Sequence, residues 1–249
     1  MKSLNTFGGS PPKQAWLRRF FDEPREFLTG HGLSRGQTYS FGRFLRDANL
    51  LMRKEPTLFA DLVKNFGWDT EAALGLMLIN LVADNVQIRW FIENLPLEKT
   101  VSRTEVEAKL LSTGVTINSA RAILRSFGRL SRTAFGFVLK FGKVTYTGRR
   151  LTTLTRTRAK VADGRVILYS LYKLSEESGA RQFTLTELSE PLASPVKIFG
   201  LSVEELEQFL NGLSANYPEF VDATFTHDLK KISLMPTKTA VDVLKLFEV

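Results

Sequence analysis

The sequence predicts a mainly α chain with small β-hairpins (α+β), in which an N-terminal helical domain precedes two winged-helix-like units. Three observations predict it. Apolar side chains recur at helical spacing through residues 15–100. Residues 101–162 and 163–249 then each run through helices into an alternating pair of strands. Charge divides at the same places: 13 Lys or Arg against 11 Asp or Glu in 1–100, 13 against 2 in 101–162, and 8 against 13 in 163–249. The expected organisation is a flexible lead-in (1–14), a helical domain (15–100), a basic unit (101–162) and an acidic unit (163–249).

In order along the chain, the Gly-, Ser- and Pro-bearing lead-in predicts no regular element. Trp16, Phe20 and Phe27 predict an amphipathic helix interrupted before Pro24, and Gly30, Gly32 and Gly36 mark a loop. Phe41, Phe44, Leu45 and Leu51 predict a second helix over 39–52. A short helix follows over 57–66, then a long apolar one over 70–95 with Asp84-Asn85 as its break. Ser102-Arg103-Thr104-Glu105 has the form of a capping box, in which the Ser hydroxyl and the Glu carboxylate satisfy each other's backbone N–H groups. Gly114 ends that helix. Residues 117–130 form the next one, with Ile117, Ala120, Leu124 and Phe127 inward and Asn118, Arg121, Arg125 and Arg129 opposite. Phe135, Phe137 and Leu139 alternate, as do residues 144–146 and the β-branched run 151–156, so strands are expected there. The final unit repeats the order: a helix over 166–175, a short strand at 183–185, a helix at 186–189, a second capping box at Ser202–Glu205, a hairpin over 220–234 and a last helix over 239–246.

Bulk properties exclude several classes. At 43% hydrophobic and 24% charged residues the chain is neither disordered nor collagen-like. Cysteine is absent, which removes disulfides, iron–sulfur clusters, thiolate nucleophiles and Cys-ligated zinc. The apolar run 72–83 falls short of the roughly 20 residues a membrane span needs, and residues 1–13 lack a secretory pattern. The expectation is a soluble cytoplasmic protein without cofactor or membrane partner.

Between Glu107 and Asp163 there is no acidic residue, while twelve Lys or Arg occur. Such self-repulsion is unfavourable for stability alone and predicts a polyanion-binding surface. In a winged-helix arrangement the 117–130 helix would enter a major groove and the hairpin would grip phosphates. The candidate DNA contacts are Asn118, Ser119, Arg121, Arg125, Arg129, Arg132, Lys140, Lys143, Arg149, Arg150, Arg156 and Arg158. The bland alternative is a solvated helix face. The helix at the corresponding place in the final unit carries Glu204, Glu205 and Glu207, which a phosphate backbone repels, so that unit is assigned to protein contacts.

Catalytic and metal motifs are sparse. His31 and His227 stand far apart and read as surface and hairpin-tip residues, and Gly8-Gly9-Ser10 lacks the Lys of a P-loop. Asp228-Leu229-Lys230, with Glu219 and Asp222 upstream, matches the acid-x-Lys pattern of metal-dependent nucleases only loosely. No catalytic residue is assigned, and a weak nuclease reading using Asp222 and Asp228 stays open, as does a winged-helix transcriptional regulator.

Residues 81–95 (LVADNVQIRWFIENL), 165–173 (RVILYSLYK), 212–234 (GLSANYPEFVDATFTHDLKKISL) and 238–244 together resemble a recurring bacterial region. This is the C-terminal region of proteins related to phosphoadenosine phosphosulfate reductase, from loci for DNA modification and phage defence that include DNA phosphorothioation. The likeness runs from about residue 35 to the end. The larger relatives carry an ATP-pyrophosphatase domain with a Ser-Gly-Gly-x-Asp loop, and some carry cluster-binding cysteines; this chain has neither. The resemblance therefore implies a DNA-recognition accessory whose partners are double-stranded DNA and other proteins of the complex, with a homodimer also open. No catalytic residue transfers.

Overall fold

A computed structural model describes residues 4–7, 12–30, 32–225 and 230–248. The chain forms two compact units, 1–160 and 161–249.

The first unit opens with α1 (Gln14–Asp22), α2 (Pro24–Gly30) and α3 (Arg35–Asp47), then a minimal hairpin, β1 (Leu51–Met52) and β2 (Glu55–Pro56), and α4 (Leu58–Asn65). Its centre is α5 (Glu71–Asp84), whose residues 73–82 are all buried, so the helix is apolar on every side. The break at Asn85 turns the chain by 97° into α6 (Val86–Asn94). Asn85 Oδ1 accepts from the Gln87 and Ile88 N–H groups, capping α6, while its Nδ2 donates to Asp47 Oδ2 at 2.6 Å. Among the described residues no single helix is long and apolar enough to cross a membrane. The lead-in is tied down where it is described. Phe7 is 1% exposed beside Phe44, and the Thr6 N–H and hydroxyl both donate to Gln87 Oε1. A buried aromatic and two buried polar bonds offset the ordering cost that a Gly- and Ser-rich composition suggested.

There follow β3 (Thr100–Ser102), α7 (Arg103–Ser112), α8 (Ile117–Leu130), α9 (Ala134–Phe137), β4 (Lys143–Thr147) and β5 (Arg150–Thr155). The antiparallel sheet has the order β3-β5-β4, with Val101 opposite Leu154 and Val144 opposite Leu154 on its other side. In chain order α7, α8 and α9 thus lie between the first strand of this sheet and its hairpin. Both halves of the Ser102–Glu105 capping box are made. The expected separation at residue 100 is not seen, because the helical region supplies the basic unit's own core. Phe91 of α6 lies 4.4 Å ring to ring from Phe127 of α8, and Phe135 meets Phe44.

One element differs from the alternation. Residues 134–137 form a helical turn, with Phe135 buried and Phe137 exposed. A Cβ on Gly136 would stand 1.9 Å from the Ser131 carbonyl oxygen. The absent side chain lets α9 fold back against the end of α8, which a strand would not permit.

The second unit comprises α10 (Gly164–Ser178), β6 (Gln182–Thr184), a 3₁₀ turn over Glu187–Ser189, α11 (Pro195–Phe199), α12 (Val203–Asn216), β7 (Val221–Phe225), β8 (Lys230–Leu234), α13 (Ala240–Leu244) and a closing 3₁₀ turn. Its sheet order, β6-β8-β7, repeats the pattern of the first. Tyr172 of α10 is fully buried, and its hydroxyl donates to the Phe220 carbonyl at 2.7 Å. Burial pushes that phenol up to about 12, against a smaller downward pull from Arg181. The Ser202–Glu205 capping box is also complete. The expected helix at 186–189 is the 3₁₀ turn, and α11, opened by Ser194 and Pro195, has no counterpart in the sequence reading.

Candidate nucleic-acid interface

The candidate surface is built on α8. Thr116 caps the helix by accepting from the Ser119 N–H, and Ala120, Ile123, Leu124, Phe127 and Leu130 are buried. At 3.6 residues per turn, Asn118, Arg121, Arg125 and Arg129 project within an arc of roughly 80°. All four are exposed. Ser119 is half-buried, and its hydroxyl accepts from Thr116 Oγ1, so it is less open than its neighbours.

The β4–β5 hairpin flanks this stripe. A Cβ on Gly128 would lie 2.6 Å from the Tyr146 hydroxyl and 2.8 Å from Leu151 Cδ1, so glycine lets the hairpin close onto the helix. Tyr146 is also a platform for Arg132, whose guanidinium sits 4.0 Å from the ring centroid. Because β4 alternates, Tyr146 facing α8 turns Lys143, Thr145 and Thr147 away from it, and those three are exposed. Arg149 and Arg150 are exposed at the hairpin tip, beside Gly148. Lys140 is exposed with a left-handed backbone, and its carbonyl accepts from the Thr157 hydroxyl. That bond joins it to the segment bearing exposed Arg158, whose N–H donates to Glu98 Oε1.

One expectation needs correction. Arg156 is 7% exposed and donates from Nη1 to the Ile92 carbonyl at 2.7 Å, deep between α6 and the sheet. Burial lowers its guanidinium to about 10. It is a structural cation rather than a surface contact. Arg121 is exposed but not unpartnered: its Nε lies 3.5 Å from Glu107 Oε1, the carboxylate that also receives Arg103 at 3.4 Å. Lys160 at the end of the segment pairs with Glu71 at 2.5 Å. Sequence reasoning missed the Tyr146–Arg132 platform and the exposure of Phe137, at 64%, among these cations. The alternation of Phe135, Phe137 and Leu139 had placed Phe137 in a strand.

In the second unit, Glu204 and Gln208 of α12 are exposed and Glu207 receives Lys230 at 3.6 Å. Hydrogen bonds at the helix start, led by a backbone N–H, hold the Glu204 carboxyl below its usual range. Asp222 and Glu219 are exposed. His31, His227, Asp228 and the Gly8-Gly9-Ser10 stretch lie outside the described residues. Among the described residues no three His, Cys, Asp or Glu side chains gather in a manner that could hold a metal.

Geometry and order thus define a mainly α chain with small antiparallel sheets, of the α+β class. No family model and no curated protein matches the sequence. Two solved structures share the fold. "SspB crystal structure" is similar at a TM-score of 0.75 and 13% identity, over 100% of this chain and 88% of that one. "Magnesium ion-bound SspB crystal structure" is similar at 0.71 and 14%, with the same coverage. At such identities the likeness is one of fold.

Proposed function

We propose that this chain is a DNA-binding accessory of a bacterial DNA-modification or phage-defence system, holding duplex DNA chiefly through phosphates with α8 and the β4–β5 hairpin. The observation that carries the reading is the shared exposure of Arg125, Arg129, Arg132, Lys140, Lys143, Arg149, Arg150 and Arg158 on adjoining elements of a segment with no acidic residue. Guanidinium forks suit bidentate phosphate and guanine contacts. Asn118, at the start of α8, is the side chain best placed for a base edge. The carboxylates of α12 disfavour DNA and suit a protein partner. The modification setting rests on the sequence resemblance.

The test is a fluorescence-anisotropy titration with random duplex at several salt concentrations. If about six phosphates are neutralised, the log–log salt slope is near −5. Arg125→Glu with Arg129→Glu abolishes binding while leaving the circular dichroism spectrum unchanged. Unaltered affinity refutes the proposal. A strong preference for one palindromic site would instead indicate a transcriptional regulator.

A second reading has one observation in its favour: a structure of this fold is named as magnesium-bound. It makes the chain a metal-dependent nuclease using Asp222 and Asp228. Plasmid nicking with Mg²⁺, lost in Asp228→Ala, would support it.

A further inference from the structure

The first unit also contains a cleft of about 560 Å³ that α8 and its hairpin do not use. It lies among α2, α3 and the β1–β2 hairpin. Phe27, Phe41, Leu45 and Leu51 lie beneath it, at most 5% exposed, half-buried Leu33 and exposed Thr38 complete its wall, and its rim carries Arg25, Arg46, Arg53 and Lys54 against the single carboxylate of Glu55. The volume falls in the range of roughly 300–1,000 Å³ typical of small-ligand sites.

The floor is rigid. The Phe41 ring lies 5.3 Å from Phe27 and 5.6 Å from Trp16, and it stacks on Phe44. The rim shows a cost retained at a cation: Arg53 has φ +58°, in the left-handed region. Glycine or asparagine would hold that turn with less strain, yet an arginine stands there with its side chain at the cleft. The wall is kept low at Gly42, where an added Cβ would have one heavy-atom neighbour within 4 Å, Arg46 Nη1 at 3.4 Å. Space is therefore left open next to a guanidinium.

We propose that this cleft binds a nucleoside phosphate. The arginines of the rim take the phosphate through charge-assisted hydrogen bonds, half-buried Leu33 and the planar guanidiniums and aliphatic stems of the arginines pack against the base, and the Glu55 carboxylate accepts from sugar or base N–H and O–H groups. The site stands independently of the duplex-binding surface. The nucleotide has two sources, a free molecule or a residue of a nucleic-acid strand.

Isothermal titration of the full chain with ADP, GDP, CDP and TDP tests this, with inorganic pyrophosphate and a 5′-phosphorylated trinucleotide as further arms. Saturable binding is expected with a dissociation constant below about 1 mM, weakened about tenfold or more by Arg46→Glu with Arg53→Glu and by Gly42→Leu, which fills the cleft. Arg125→Glu with Arg129→Glu leaves it unchanged. Should Gly42→Leu not fold, the two exposed arginines decide the matter alone. Saturation by the trinucleotide without the free nucleotides supports the same chemistry within a strand. Three results overturn the proposal: no saturable binding in any arm, pyrophosphate binding as tightly as the nucleotides, or parental affinity in the arginine variant.

Discussion

Replacing Gly136 by alanine perturbs one atom and has a consequence that the structure sizes. The new Cβ would lie 1.9 Å from the Ser131 carbonyl oxygen and 2.4 Å from its carbon. Both are backbone atoms, so no change of rotamer relieves the contact, and the two segments must part by about 1.5 Å to restore ordinary packing. That movement stretches the bonds from the Gly136 and Phe137 N–H groups to the Thr133 carbonyl, at 2.9 and 3.0 Å, and displaces fully buried Phe135 from Phe44. Overpacking costs about 1–3 kcal/mol and each weakened bond up to about 1 kcal/mol. Alanine's helix preference returns about 1 kcal/mol. The net destabilisation is about 3 kcal/mol, a fall in Tm of roughly 6–12 °C for a unit of this size. Thermal unfolding followed by circular dichroism reads it. Gly212→Ala is the control, because it lies inside α12 with nothing within 4 Å of the added atom; it gains about 1 kcal/mol. A Gly136→Ala protein that melts like the parent, or above it, refutes the packing argument.

Two further outcomes follow from buried groups. Arg156→Ala removes the bond to the Ile92 carbonyl and leaves a cavity, costing about 3 kcal/mol in urea unfolding. Duplex affinity of the folded variant stays within about twofold of the parent; a loss like that of Arg125→Glu with Arg129→Glu would restore Arg156 to the surface. Tyr172, with its phenol held near 12 instead of 10 in the fold, ionises more readily when unfolded. Its contribution is therefore intact below pH 10 and is lost as the pH rises from 10 toward 12, by roughly 1–2 kcal/mol. Urea titrations across that range show the loss in the parent and a flatter profile in Tyr172→Phe.

Much of the α8 surface was legible from residue order. Arg121, Arg125 and Arg129 share a face through helical spacing alone, and the Ser102 and Ser202 capping boxes need only a partner three residues away. The break at Asn85 was legible for the same reason, since its side chain caps the helix it begins. Residues 134–137 were misread because Phe135 and Phe137 satisfy a two-residue period as well as a single helical turn, and only the approach of Ser131 to Gly136 separates the two. Arg156 was misread because a cation at the end of a strand carries no sign of its depth. The boundary at 100 was misplaced because a shift in charge is a property of the surface, whereas Phe91 and Phe127 join the segments through the core.

Residue order alone thus settled most of the longer helices, the two serine capping boxes, the partition of charge and the shared face of the α8 arginines, all of which rest on neighbours within a turn or a strand pair. Contacts between distant segments decided the rest: which cations reach solvent, which hydrophobic residues are left outside, and the cleft assembled from α2, α3 and the first hairpin. Such features have no local period to betray them, because they depend on which surfaces exclude water once the chain has closed its long loops.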